Sequence, residues 1–368
     1  MVSRNGVRDM TERVERAKTV TPPAGRTLRI VKRFVYSTIA TLVLGSAALV
    51  VYVIGPTTMR LMDPELLIGI PIGIIELSRP VATLADRQAA EGPLRYTEKF
   101  VPGAAGDPPV RVVIVEPKDA VPGRPGILDL HGGGYTQGSP EFSLTTLLEG
   151  LVLKFGVTAI SVDYRLAPGT RYPGALHDNY AALKWFHANA RDIGVDPQRI
   201  ALIGFSAGGG HAAMLGIHAR DRGEVPILFQ ALLAPMLDDR TGSTLDPGES
   251  LGRFPWTRED NRNGWTALLG VEAGSDQVPD RAVPMRVADL SRLPPTYVAV
   301  GSLDLFAPES EAFAQRLSGA GVPTELQVFP RAFHGFEFVV PSAKVSQRAR
   351  DALERYLSRA FGLMETGQ

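Results

Sequence analysis

From Val110 onward one rhythm repeats along the chain: a short apolar run, a break at Gly or Pro, then a stretch with helical spacing. The runs Val110–Val115 (VRVVIV), Gly126–Leu130 (GILDL), Thr158–Val162 (TAISV) and Ile200–Gly204 (IALIG) read as strands. So do Ile227–Leu233 (ILFQALL), Thr296–Val300 (TYVAV) and Glu325–Phe329 (ELQVF). Helices are expected over Leu176–Arg191, Ala207–Arg220, Glu309–Ala320 and Ala343–Phe361. Near-continuous Val/Ile/Leu strands are stable only when both faces of their sheet are covered, and amphipathic crossover helices provide that cover. The pattern therefore predicts an α/β fold with a mostly parallel central sheet and helices on both faces. No internal repeat is visible. Between Leu237 and Leu293 the rhythm breaks into mixed Gly, Pro, Asp, Arg and Trp. An insertion of this size in an α/β body serves as a lid or a partner surface.

Charge narrows the partners. Lys+Arg and Asp+Glu are both 39, so the formal net charge is zero, and nothing favours nucleic acid or a broad anionic surface. With no cysteine in the chain, disulfides, thiolate catalysis and Cys-ligated zinc are excluded. The six histidines (His131, His177, His187, His211, His218, His334) form no H-E-x-x-H pair. Neither a metal nor a cofactor is expected, and a small-molecule substrate is.

The first hundred residues are of a different character. Phe34 to Ile54 is 21 residues without a charge, long enough to cross a bilayer core of roughly 30 Å as a helix. Basic residues cluster before it (Arg13, Arg16, Lys18, Arg26, Arg29, Lys32, Arg33), and few follow. The positive-inside rule then predicts a single-pass membrane protein with a cytoplasmic N-terminus and an extracytoplasmic body. A cleaved signal peptide and a buried soluble helix compete with this reading; the first lacks a clean A-x-A site, the second a polar stripe. Leu66–Leu77 (LLIGIPIGIIEL) is too short to span and is expected at a membrane surface or over a site as part of a lid. The expected organisation is a basic tail over 1–33, a transmembrane helix over 34–54 and a linker with an N-terminal cap segment over 55–92. The soluble domain then covers 93–368, with a cap insertion at about 238–292.

Three segments carry chemistry. Gly204-Phe205-Ser206-Ala207-Gly208 fits G-x-S-x-G between a strand and a helix, the sharp turn that lifts a serine oxygen clear of the backbone. The following helix N-terminus offers free N–H groups to developing negative charge. His131-Gly132-Gly133-Gly134-Tyr135 follows a strand and matches the H-G-G-G oxyanion loop of lipases and esterases. The backbone N–H groups of Gly132, Gly133 and Ala207 are the candidate oxyanion donors. No G-K-[ST] follows, which argues against a phosphate cradle. A base and its acid should come later, in the order Ser, Asp/Glu, His. His211 and His218 fall on the helix after Ser206, whereas His334 lies in a loop (RAFHGF) between a strand and the last helix. For the acid, Asp304 directly follows the strand TYVAVG, at the carboxyl end of the sheet. Asp238, Asp239 and Glu309 are its rivals.

Seven segments in one order resemble the hormone-sensitive-lipase-like carboxylesterases, the bacterial family IV esterases. They are HGGGY, SVDYRLAP with RYPGALHDNYAALKW, GFSAGG, LAPMLDDR, WTREDNRNGW, LPPTYVAVGSLDLF and FHGF, spread from about Gly126 to Phe338. The resemblance implies the α/β-hydrolase fold with a helical cap and hydrolysis of carboxylic esters through an acyl-enzyme, and short- to medium-chain acyl esters are the expected substrates. It implies a Ser206–Asp304–His334 triad and an oxyanion hole at Gly132, Gly133 and Ala207. It also implies that Asp163 and Arg165 form a structural pair, and that a homodimer through the last strand and helix is among the expected assemblies. A non-catalytic ligand-binding protein on the same fold is the alternative. Two departures stand out: Phe205 occupies a position usually held by Asp or Thr, and the second carboxylate of D-P-L-x-D is missing after Asp304.

Overall fold

The computed structural model describes residues 54–363. Its eight strands are β1 (Leu94–Val101), β2 (Val110–Pro117), β3 (Arg124–Leu130), β4 (Thr158–Asp163), β5 (Val195–Phe205), β6 (Gln230–Leu233), β7 (Thr296–Gly301) and β8 (Thr324–Phe329). They lie in one sheet in the order β1-β2-β4-β3-β5-β6-β7-β8. Only β2 runs against its neighbours, antiparallel to β1 and β4; every other pair is parallel. This is the mostly parallel sheet of the α/β-hydrolase fold.

Three helices precede the sheet: α1 (Pro56–Leu61), α2 (Pro64–Leu77) and α3 (Leu84–Ala89). After β3 come α4 (Pro140–Ser143), a π turn (Leu144–Leu148) and α5 (Glu149–Phe155). Then follow α6 (Gly174–Asn189), α7 (Ala207–Arg222), α8 (Arg258–Leu269), α9 (Ala307–Gly319), α10 (Phe336–Val339) and α11 (Lys344–Ala360).

The two-residue alternation of a strand sends neighbours to opposite faces. Leu128, Leu130 and Leu202 join one apolar cluster with residues of α6, α7 and α9. Ile127, Ala201 and Ile203 join the other, with Leu151 of α5 and Leu353 and Leu357 of α11. Each such fully buried side chain contributes about 1.5–3 kcal/mol relative to exposure, so a double-sided sheet accounts for most of the driving force.

Where the sheet departs from the sequence pattern, edges explain it. β1 (LRYTEKFV) pairs on one side only and is exposed over most of its length, so it carries charge instead of an apolar run. The insertion between β6 and β7 contains α8, opened by a capping box in which Thr257 and Asp260 satisfy each other's backbone N–H.

The membrane expectation is corrected. Among the described residues no helix is long and apolar enough to cross a membrane, so the single-pass localisation drawn from Phe34–Ile54 is not upheld. Apart from Ile54, which is buried, that run lies outside the described residues, as do the basic residues before it. The next apolar stretch became α2, only 14 residues with Pro71 inside it. One face of α2 is buried through Leu66, Ile70 and Gly73, and a Cβ on Gly73 would come 1.9 Å from the Val339 carbonyl oxygen. That close approach docks α2 on α10.

A second correction concerns Asp163 and Arg165, which do not pair with each other. Asp163 binds Arg111 at 3.1 Å, and Arg165 binds Asp178 at 2.7 Å and Asp107 at 3.0 Å. Asp163 ends β4, opposite Arg111 in the antiparallel register with β2.

Asp129, near the end of β3, is 1% exposed and accepts a hydrogen bond from Ser161 Oγ at 2.6 Å. Burial pushes its carboxyl up to about 7, against the lowering effect of Ser161 and Ser143. A raised acid binds its proton more tightly in the folded state, so stability falls as pH rises from about 4 toward 7. Asp129→Asn should flatten that decline by up to about 1.4 kcal/mol per pH unit. Denaturant melts at pH 5, 6 and 7 test this; identical slopes in both proteins would show that Asp129 does not titrate there.

Candidate active site

Ser206 sits between the end of β5 and the start of α7 with φ 57° and ψ −122°. Such a backbone costs on the order of 1–3 kcal/mol and persists only where its surroundings hold it. Three backbone bonds do so: Ser206 N donates to Leu233 O (2.8 Å), and Ser206 O accepts from Gly210 N and Met236 N (both 3.1 Å). The turn is tight enough to require its glycines. A Cβ on Gly204 would lie 2.2 Å from Gly208 O, and one on Gly208 would lie 1.8 Å from Leu130 O.

His334 reaches this turn from the loop between β8 and α10. Its Nε2 is 3.0 Å from Ser206 Oγ, and its Nδ1 is 2.8 Å from Asp304 Oδ2. The other oxygen, Asp304 Oδ1, accepts from Phe306 N at 2.9 Å. All three residues are buried, Ser206 at 3%, Asp304 at 1% and His334 at 6% exposure. A carboxylate facing Nδ1 places the ring proton there and leaves the Nε2 lone pair toward the serine hydroxyl.

The glycine loop after β3 lies against the same turn. A Cβ on Gly132 would stand 3.5 Å from Ser206 Cβ. Gly133 adopts φ 129°, where a side chain would also strike Gln137 O at 2.0 Å. Among the described residues, the N–H groups of Gly132, Gly133 and Ala207 donate to no acceptor, and Ala207 opens the 16-residue helix α7. Unengaged donors beside a nucleophile-type turn are suited to a developing oxyanion.

Three of the other histidines pack against tyrosine rings. His131 stacks on Tyr164 at 4.1 Å, with Nδ1 2.9 Å from Gly132 O. His211 lies edge-on to Tyr135 and Tyr164, and burial pushes it down to about 3, so it stays neutral. His218 packs edge-on to Tyr180. The rival acids are engaged elsewhere: Asp238 with Arg240, Asp239 with Arg286, and Glu309 with the N–H groups of Leu237 and Asp238.

Aromatic rings around the site were not assigned from the sequence. Phe205 stacks on the His334 ring at 5.0 Å and 25°, and Phe306 meets that ring edge-on at 5.2 Å. Trp256, from the insertion, lies where a Cβ on Gly134 would be, 2.1 Å away. The unusual Phe205 and the RAFHGF segment were the available signals; ring geometry needed the fold.

A family model describing the alpha/beta hydrolase fold matches residues 127–338. The esterase LipI of Mycobacterium tuberculosis is 32% identical over 264 residues, 70% of this chain and 80% of LipI. The carboxylesterase NlhH of the same species is 32% identical over 272 residues, 72% of this chain and 83% of NlhH. Among solved structures, a bacterial heroin esterase superposes with a TM-score of 0.73 at 34% identity, covering 82% of this chain and 98% of that one. Esterase LipW of Mycobacterium marinum gives 0.68 at 34% identity, with 82% and 96% covered. With its matched segment, its glycine loop and its serine turn, this chain belongs to the hormone-sensitive-lipase-like carboxylic ester hydrolases of the α/β-hydrolase fold.

Proposed function

We propose that the protein hydrolyses short- to medium-chain carboxylic esters through an acyl-enzyme on Ser206. The observation carrying this reading is the unbroken chain of hydrogen bonds from Ser206 Oγ through His334 to Asp304. Ser206 attacks the ester carbonyl as His334 Nε2 takes its proton. The carbonyl oxygen becomes an oxyanion held by the N–H groups of Gly132, Gly133 and Ala207. His334 then returns the proton to the leaving alcohol, and water, activated by the same imidazole, releases the acyl group. Asp304 keeps the imidazole in the required tautomer and stabilises its charged form.

The segments 55–92 and 238–292 act as the cap over this site. Gly73 of α2 packs on Val339 just after His334, and Trp256 of the insertion packs on the glycine loop. Crowding of that loop by Trp256 at Gly134 favours short and medium acyl arms. The test is covalent labelling by a fluorophosphonate probe: one label per chain in the native protein and none in Ser206→Ala. Equal labelling of that variant would move the nucleophile elsewhere.

A further inference from the structure

A cavity of about 300 Å³ lies beside the proposed triad, at the lower end of the range typical of ligand pockets. Its walls come from Thr146 and Leu147 of the π turn, Leu233 at the end of β6, Ala299 of β7 and Leu353 of α11. Asp304 and the segment Gly335–Phe338 also line it. Ser206, the glycine loop and Trp256 do not line it. Of the proposed triad only Asp304 lines it, and a π turn in its wall is the kind of helix irregularity that frequently marks functional sites.

Phe205 does not line this cavity itself; its ring packs between the proposed site and two residues that do, Gly335 and Phe338. Phe205 meets the reaction site on one side, with Cδ1 3.0 Å from a Cβ built on Gly132 and its face stacked on His334. On the other side it meets residues of the cavity: Cζ is 3.2 Å from a Cβ built on Gly335, and the ring is edge-on to Phe338 at 4.8 Å. We infer that Phe205 is a specificity-determining partition, which closes the leaving-group end of the site against the cavity and so excludes esters of bulky apolar alcohols. The leaving-group end is assigned from chemistry. In the proposed mechanism His334 must reach the departing alcohol oxygen to protonate it, and Phe205 is the ring lying on that imidazole. Phe205 touches the alcohol arm and no reacting atom. A polar Asp or Thr at this position would leave the passage open.

This inference rests on the esterase reading, and the experiment keeps the two apart. Native protein, Phe205→Ala and Phe205→Thr are assayed on ethyl butyrate and on 1-phenylethyl butyrate, with p-nitrophenyl acetate and decanoate as the acyl-length control. The ratio of kcat/KM for the phenylethyl over the ethyl ester should rise at least 10-fold in both variants. The decanoate-to-acetate ratio should move less than 3-fold. Adding Ala299→Leu, which puts a larger side chain on the cavity wall, should return the alcohol ratio of Phe205→Ala toward the native value. An unmoved alcohol ratio in both variants, a gain confined to acyl length, or a gain untouched by Ala299→Leu would each overturn the partition. If the native protein hydrolysed none of the four esters, the esterase reading itself would fail first. Working in ratios removes any general loss from unstacking His334.

Discussion

Replacing Ser206 by alanine is expected to lower kcat on p-nitrophenyl butyrate by about 10⁶-fold, the scale of removing a serine nucleophile from an intact triad. KM should change little, because the hydroxyl contributes to bond-making more than to holding the ground-state ester. A residual rate about 10³–10⁴ above that of water should persist, supplied by the oxyanion donors and substrate positioning. Stability offers an independent check. At φ 57° an alanine is as strained as the serine, so Ser206→Ala should melt close to the native protein. Ser206→Gly removes the Cβ penalty and should be more stable by about 1 kcal/mol. The same backbone strain that presents Oγ thus costs fold stability, and the glycine variant measures it. A Ser206→Ala protein retaining more than about 1% of native kcat would remove Ser206 from the role of nucleophile.

How far the sequence carried the argument depended on the range of the signal. Interior strands such as β3 and β5 announce themselves as apolar runs because both faces are buried. Edge strand β1 does not, since Arg95, Glu98 and Lys99 face solvent along a one-sided ladder. Local turn chemistry placed Ser206 and the glycine loop, because tight backbone approach demands glycine at 204, 208 and 133 whatever the surroundings. Asp304 and His334 were legible through chain order, being short segments at strand ends. Long-range pairing was not. Asp163 and Arg165 are two positions apart in sequence yet reach Arg111 and Asp178, partners set by sheet register and by α6. The stacking of Phe205 on His334 joins residues 129 positions apart, and only the assembled sheet brings them together. The apolar run at 34–54 lies, apart from Ile54, outside the described residues, and among those residues no helix is long and apolar enough to cross a membrane.

Asp304→Asn is expected to cost about 10⁴-fold in kcat while leaving the fold and the side-chain positions in place. The reason lies in the two different partners of this carboxylate. Oδ1 accepts from Phe306 N, and Oδ2 faces His334 Nδ1. An asparagine has one acceptor and one donor group to fill the same two places. Its carbonyl oxygen is drawn to Phe306 N, a buried backbone donor that would otherwise be unsatisfied at about 1–3 kcal/mol. The amide NH₂ is then turned on Nδ1, which must accept, and the ring proton is driven to Nε2. In that tautomer the imidazole points a hydrogen at Ser206 Oγ and cannot take its proton. Labelling by the fluorophosphonate should slow in parallel with turnover, because both depend on activating the same hydroxyl. A loss of less than 10-fold would mean that Asp304 only packs against His334 and that the imidazole is oriented by another group.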